Sequence, residues 1–213
     1  VKKYELTDIT IEQSGVTLYR IRAVRAIKAL GIKKGDLGGY VEKGENLSQS
    51  GAAWISGNAS VSGDARVCGD ASVYGNARVY GDASVSGDAS VYGNASVYGN
   101  ARVSGNARVC GDARVYGNAR VCGDASVSGN ARVYGNASVS GDADIIWCSK
   151  IGLRLDTTTA FIEKDGGVKI VCGCFCGMLN EFERKVEETH GDNIYGKEYK
   201  AFIELIKIHF GKV

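Results

Sequence analysis

The sequence predicts a mainly β chain in which short parallel strands wind into a solenoid flanked by two small caps. Three observations predict it. From Ile55 to Ile145 an aliphatic residue stands at every sixth position, sixteen in all. Glycine and alanine keep the same phase, from Gly57 to Gly141 and from Ala53 to Ala143. Each hexad reads Gly-Asp/Asn-Ala-Arg/Ser-Val-Tyr/Ser/Cys, as in GDARVC, GNARVY and GDASVS. A fixed short period of this kind is the signature of a repeat architecture.

Side-chain alternation gives the physics of one hexad. In Ala-Arg-Val-Tyr, Ala and Val point inward while Arg and Tyr point outward. The Gly-Asn or Gly-Asp pair turns the corner, because these residues tolerate positive φ most readily. The flanks differ in character. Residues 1–50 hold two alternating segments, YELTDITIE and VTLYRIRAV, around Ser14-Gly15, which read as a hairpin cap. GDLGGYVEKGENLSQSG then leads into the repeats, with Val41 and Leu47 six apart and a two-residue phase slip before Ile55. An irregular first coil is expected there. Residues 51–146 form the repeat domain. In 147–213 the sequence predicts two strands around Asp165-Gly166-Gly167, then helices at about 178–189 and 194–209. Both flanks would cover the open strand edges that a solenoid leaves at its ends.

The repeats resemble the hexapeptide-repeat, left-handed parallel β-helix family, whose aliphatic residue followed four positions later by a small one is met by Val61/Ala65, Val67/Ala71 and each later pair. The resemblance implies three hexads per triangular coil and about five coils. The flanks, through YELTDITIE…LYRIRA, KKGDLGGYVE…NLS and CGCFCG…EFERKVEETHGDN, resemble those of uncharacterised proteins of phages and prophages, for which no activity is implied.

If a coil holds three hexads, residues eighteen apart stack. One face then carries a column of Tyr80, Tyr98, Tyr116 and Tyr134 beside Ser60, Arg78, Ser96, Arg114 and Arg132. A second face has Tyr74, Tyr92, Cys110 and Ser128, and the third has Cys68, Ser86, Ser104, Cys122 and Ser140. A tyrosine column can simply stabilise a sheet. It can also form a subunit interface, a homotrimer being the expectation from the resemblance, with Phe202, Ile206 and Phe210 of the last helix as further apolar surface. Or it can serve as a ligand platform, rings stacking on a planar group while Arg pairs with phosphate. The candidate ligand-binding residues are therefore Arg78, Tyr80, Tyr98, Arg114, Tyr116, Arg132 and Tyr134.

Other chemistry is sparse. Lys and Arg number 26 against 24 Asp and Glu, a net charge of +2, which argues against a strongly basic binder of extended nucleic acid. No apolar run reaches the roughly 18 residues of a spanning helix and no charged-then-apolar leader is seen, so neither a membrane nor an oxidising compartment is expected. The seven Cys are an odd count, read as free thiols in the cytoplasm, a host cytoplasm if the chain is phage-encoded. Cys172, Cys174 and Cys176 alternate as they would on one buried strand face. A zinc site using His190 is the lesser reading, and neither a metal nor a cofactor is expected. Acyl transfer, the obvious catalysis on such a fold, wants a base beside its acceptor, but His190 and His209 both lie outside the repeats. The expectation is a non-catalytic, oligomeric protein that captures a small anionic, nucleotide-like ligand. A structural scaffold and an acyltransferase using His190 are the alternatives.

Overall fold

In the computed structural model, which describes residues 2–211, the chain opens with β1 (Tyr4–Gln13), β2 (Val16–Ala23) and β3 (Leu37–Val41). Fifteen two-residue strands follow, from β4 (Trp54–Ile55) to β18 (Ser138–Val139). The chain ends with β19 (Ile145–Ile151), β20 (Asp156–Ile162), β21 (Val168–Cys172), β22 (Phe175–Met178), α1 (Leu179–His190) and α2 (Ile194–His209).

The hexads fold as their alternation requires. Repeat Ala and Val from Ala53 to Val139 are buried, and these methyl groups with Ile55 line the interior. Each strand pairs in parallel with the one eighteen residues on, as Ser96 with Arg114 and Val97 with Val115. Three parallel sheets result, one per face. The solenoid has about six turns rather than about five, because the first flank contributes one. Tyr40 and Val41 pair with Ser60 and Val61, and Leu47 bridges Val67, each twenty residues apart. The two extra residues of the phase slip are absorbed in this first turn. At the other end Ala143 keeps the sequence phase but is exposed, in a 3₁₀ turn at Asp142–Asp144 that ends the winding.

The corners explain the glycines. Gly87 has φ +69°, and a Cβ there would lie 2.9 Å from the Gly105 nitrogen of the next coil. Beside them, Asn side chains form hydrogen-bonded ladders, Asn58 to Asn76 to Asn94 to Asp112, at 3.3, 3.2 and 3.0 Å.

In the bonds that flank the strand pairs, each coil donates N–H groups to carbonyls of the coil that follows, as Arg78 N to Ala95 O at 2.9 Å and Tyr80 N to Val97 O at 3.0 Å. The two ends therefore need opposite caps. At the N-terminal end, bare carbonyls meet donors. Lys3 Nζ donates to Ala53 O at 2.7 Å, Asn46 Nδ2 to Gly63 O and Ala65 O, and Tyr4 Oη to Gly44 O and Leu47 O. At the C-terminal end, bare N–H groups meet acceptors. Ser126 N donates to Asp142 Oδ1, Ser140 N to Asp144 Oδ2 and Arg132 N to Thr159 Oγ1.

The last segment is a four-stranded antiparallel sheet, β19-β20-β21-β22. Phe161 and Val171 on one side close the solenoid core, while Ala160, Val168 and Ile170 pack against α1 and α2. The strands around Asp165-Gly166-Gly167 and both helices lie where the sequence places them; β19 and β22 are additional. Two expectations are corrected. Phe202 and Ile206 are buried under the helices, so they offer no surface for association, and Phe210 packs against the same cluster. Nor do the three clustered thiols share a strand face. Gly173 (φ +56°) and Cys174 form the turn of a hairpin that pairs Cys172 with Phe175. Cys172 consequently packs toward the helices, and Cys174 and Cys176 are exposed. No helix among the described residues is long and apolar enough to cross a membrane.

Candidate ligand-binding cleft

The predicted tyrosine column is a continuous stack. Ring centroids are 4.9 Å apart for Tyr80–Tyr98, 4.8 Å for Tyr98–Tyr116 and 4.7 Å for Tyr116–Tyr134. The first two pairs are parallel to 1°, because the coil repeat sets both the spacing and the rotamer. At its C-terminal end Phe161 meets Tyr134 edge-on at 6.4 Å. Burial, and the hydroxyl of the preceding ring, raise the pKa of Tyr98 and Tyr116, with Arg114 and Arg132 opposing. Tyr134 is pushed up further, by burial and then by its hydrogen bond to Cys176. These phenols stay neutral near pH 7, so they act as stacking surface and not as bases. A shorter stack, Tyr74–Tyr92 at 4.8 Å, stands on the second face, where Tyr74 is exposed.

The N-terminal hairpin turns this face into a cleft. β2 pairs with β3, which is the first strand of the tyrosine face, so β1 and β2 extend that sheet to eight strands. Beyond Tyr19, opposite Val41, the hairpin has no partner and its tip reaches over the outer surface. Gln13, with its amide oriented to suit its neighbours, donates to Ser60 Oγ at 2.8 Å and accepts from Arg78 Nε at 2.8 Å and Nη2 at 3.3 Å, which leaves Nη1 and the outer edge of that guanidinium toward the cleft. The resulting open cleft has a volume of about 670 Å³. Its walls are the tip residues Gln13, Ser14 and Val16, the first-turn Glu42, and Ser60, Ser62, Arg78, Tyr80, Ser96, Tyr98 and Arg114 of the face.

Of the seven predicted residues, Arg78, Tyr80, Tyr98 and Arg114 thus share one cleft. Tyr116 and Tyr134 continue the stack outside it. Arg132 lines a shallower recess of about 200 Å³ with Asp112, Asn130 and Asp156. The sequence reading missed Gln13, Ser14, Glu42 and Ser62. Ser62 carried a usable signal, since it is the one Ser in the column that is otherwise Tyr. The fold-over of the hairpin carried none. A separate recess of about 350 Å³ lies in the C-terminal segment, lined by Cys172, Cys174, Phe175, Phe182, His190 and Tyr199 among others. There the His190 ring sits 5.6 Å from that of Tyr199.

A parallel repeat β-solenoid with a lateral cleft is the class these features define. A family model described as YdcK beta solenoid repeat matches residues 71–87, 95–111, 107–123, 113–129 and 125–141, all within the regular coils, and supports a repeat β-solenoid family. No curated protein matches the chain.

Proposed function

We propose that this chain is a non-catalytic binding protein whose cleft captures a small anionic, nucleotide-like ligand and holds it without turnover, as sequestration of a signalling molecule requires. The observation that carries this reading is the convergence of two guanidinium groups, Arg78 and Arg114, with the rings of Tyr80 and Tyr98 under one hairpin tip. Arginine supplies forked donors that match phosphate oxygens. Tyrosine supplies a flat apolar surface, and a stacked base is worth roughly 1–3 kcal/mol. One ring and two such cations suffice for micromolar affinity after association costs are deducted. Capture rather than catalysis is favoured because the titratable groups lining the cleft are Arg78, Tyr80, Tyr98, Arg114 and Glu42, none of them an imidazole or a thiol. One carboxylate oxygen of Glu42 is tied to the backbone, accepting from Gly63 N at 2.6 Å.

We propose further that the chain self-associates as a homotrimer. The apolar side chains left for this on α2 are Ile194, Leu205 and Ile208. One experiment separates the two roles. Arg114→Ala is scored by calorimetric titration with nucleoside monophosphates and by light scattering against the 22.5 kDa chain mass. Weakened nucleotide binding with unchanged particle size is expected. Unchanged binding removes Arg114 from the site, failed assembly assigns this face to the interface, and a parent of one chain mass overturns the trimer.

A further inference from the structure

The tyrosine stack ends abruptly at its N-terminal side. Glu42, Ser62, Tyr80, Tyr98, Tyr116 and Tyr134 occupy one column. Glu42 N donates to Val61 O, Ser62 N to Val79 O and Tyr80 N to Val97 O, so each holds the same backbone position one turn apart. Rings fill four consecutive rungs and the next rung holds only a serine. Interior rings at 4.8 Å leave no gap for a further ring, and Phe161 closes the far end. The ring face open to a ligand is therefore the side of Tyr80 turned toward Ser62. Tyr80 is 38% exposed, and Ser62, Gly63 and Tyr80 all line the cleft. Tyr74 ends its own stack in the same way, without a hairpin above it.

We propose that the ligand's ring is the missing rung: a nucleobase stacked on the open face of Tyr80, over Ser62, with an N–H edge turned toward Glu42. This rests on the ligand-binding reading of the cleft. One carboxylate oxygen of Glu42 holds Gly63 N at 2.6 Å, which fixes the side chain and leaves the second oxygen as an acceptor. A carboxylate at that end repels phosphate and attracts amino or ring N–H donors. Arg78 and Arg114 lie on the neighbouring column, so the phosphate is directed to them. The polarity of the cleft thus orients the molecule, base toward the first turn and phosphate toward the guanidinium groups.

Filling the rung with the protein's own ring tests this. Ser62→Tyr extends the existing stack by one tyrosine, so the variant is expected to melt at or above the parent temperature. Its affinity for guanosine and adenosine 5′-monophosphate should fall by about fivefold to 150-fold, the loss of one stacked base. Ribose 5-phosphate, which has the anion but no ring, should bind parent and variant alike and more weakly than either nucleotide. Tyr80→Ala should lose nucleotide affinity in the same way and decides the matter if Ser62→Tyr fails to fold. Nucleotide binding by Ser62→Tyr or Tyr80→Ala equal to that of the parent overturns the rung. So does a parent that binds ribose 5-phosphate as tightly as the nucleotides, while capture of an anion stands. A parent that binds none of the three probes overturns the ligand reading and the rung with it.

Discussion

Gly87 and Gly135 offer a controlled measurement of what holds the corners of the solenoid. Both have left-handed backbones, φ +69° and +72°. At Gly135 a new Cβ meets only the ends of Glu163 and Lys169 side chains, at 3.5 and 3.6 Å, which is ordinary contact. Gly135→Ala therefore carries the conformational cost alone, roughly 1–2 kcal/mol for a left-handed residue with a Cβ. About 0.4–1 kcal/mol of that is offset because alanine stiffens the unfolded chain, so a loss near 1 kcal/mol is expected. At Gly87 the same Cβ lies 2.9 Å from the nitrogen and 3.0 Å from the oxygen of Gly105, backbone atoms locked in the next coil. The coils must separate at that corner, and the Asp88 N–Gly105 O hydrogen bond of 2.9 Å is strained or lost. That adds roughly 1 kcal/mol for the bond and about 1–3 kcal/mol for overpacking against a neighbour that cannot yield. Urea denaturation of both variants should place Gly87→Ala about 2–4 kcal/mol below Gly135→Ala. Equal losses, within about 0.5 kcal/mol, would show that positive φ alone dictates glycine at these corners and that coil stacking contributes nothing.

The interior and the N-terminal end are open to similar tests. Val97 is fully buried among methyl groups, so Val97→Asp places an unpaired carboxylate in the core and should cost more than about 4 kcal/mol; a variant that unfolds with the parent refutes the inward register. Tyr4 Oη donates to Gly44 O and Leu47 O at 2.7 and 2.8 Å, and burial raises its pKa from 10.0 to about 12. A raised acid pKa means the folded state holds its proton longer, so this stabilisation is whole below pH 10 and drains as pH rises to about 12. The stability gap between parent and Tyr4→Phe should therefore be constant below pH 10 and narrow above it, and a gap that stays level to pH 12 removes the linkage.

What was legible in the sequence follows from where geometry is periodic. The strict hexad settles the inward Ala and Val and the corners; with three hexads per coil, which the resemblance to the left-handed β-helix implies, it also stacks Tyr80 on Tyr98. The helices were legible for a related reason: Tyr199, Phe202, Ile203 and Ile206 keep helical spacing and all are buried. Misreadings cluster where local alternation and tertiary context disagree. Cys172, Cys174 and Cys176 alternate as a strand would, yet Gly173 turns the chain between them. Phe202 and Ile206 look like free apolar surface only until β19–β22 is known to lie beneath α2. The hairpin tip was beyond reach, since nothing in QSGV says that it will lean over Arg78 rather than stand in solvent.

In the binding role proposed for it, a solenoid this regular has a difficulty. Each turn repeats the same backbone and the same inward Ala and Val, so periodicity by itself distinguishes no position along the axis. Selectivity must come from defects in the period, and here the defects coincide. The tyrosine column stops at Ser62, the column reaches an acid at Glu42, and the hairpin covers the face at this level. Each alone has a structural role: Glu42 ties down Gly63, and the hairpin continues the sheet past its edge. Together they convert a repeating ladder into one recess with a stacking face, an acidic end and a basic side. The regular coils supply rigidity, since the ring of Tyr80 is held by Tyr98 behind it and needs no ordering when a partner ring arrives. For the ligand proposed above, that preorganisation would lower the entropic cost of association, at a stack that meets Phe161 at one end and is open at the other.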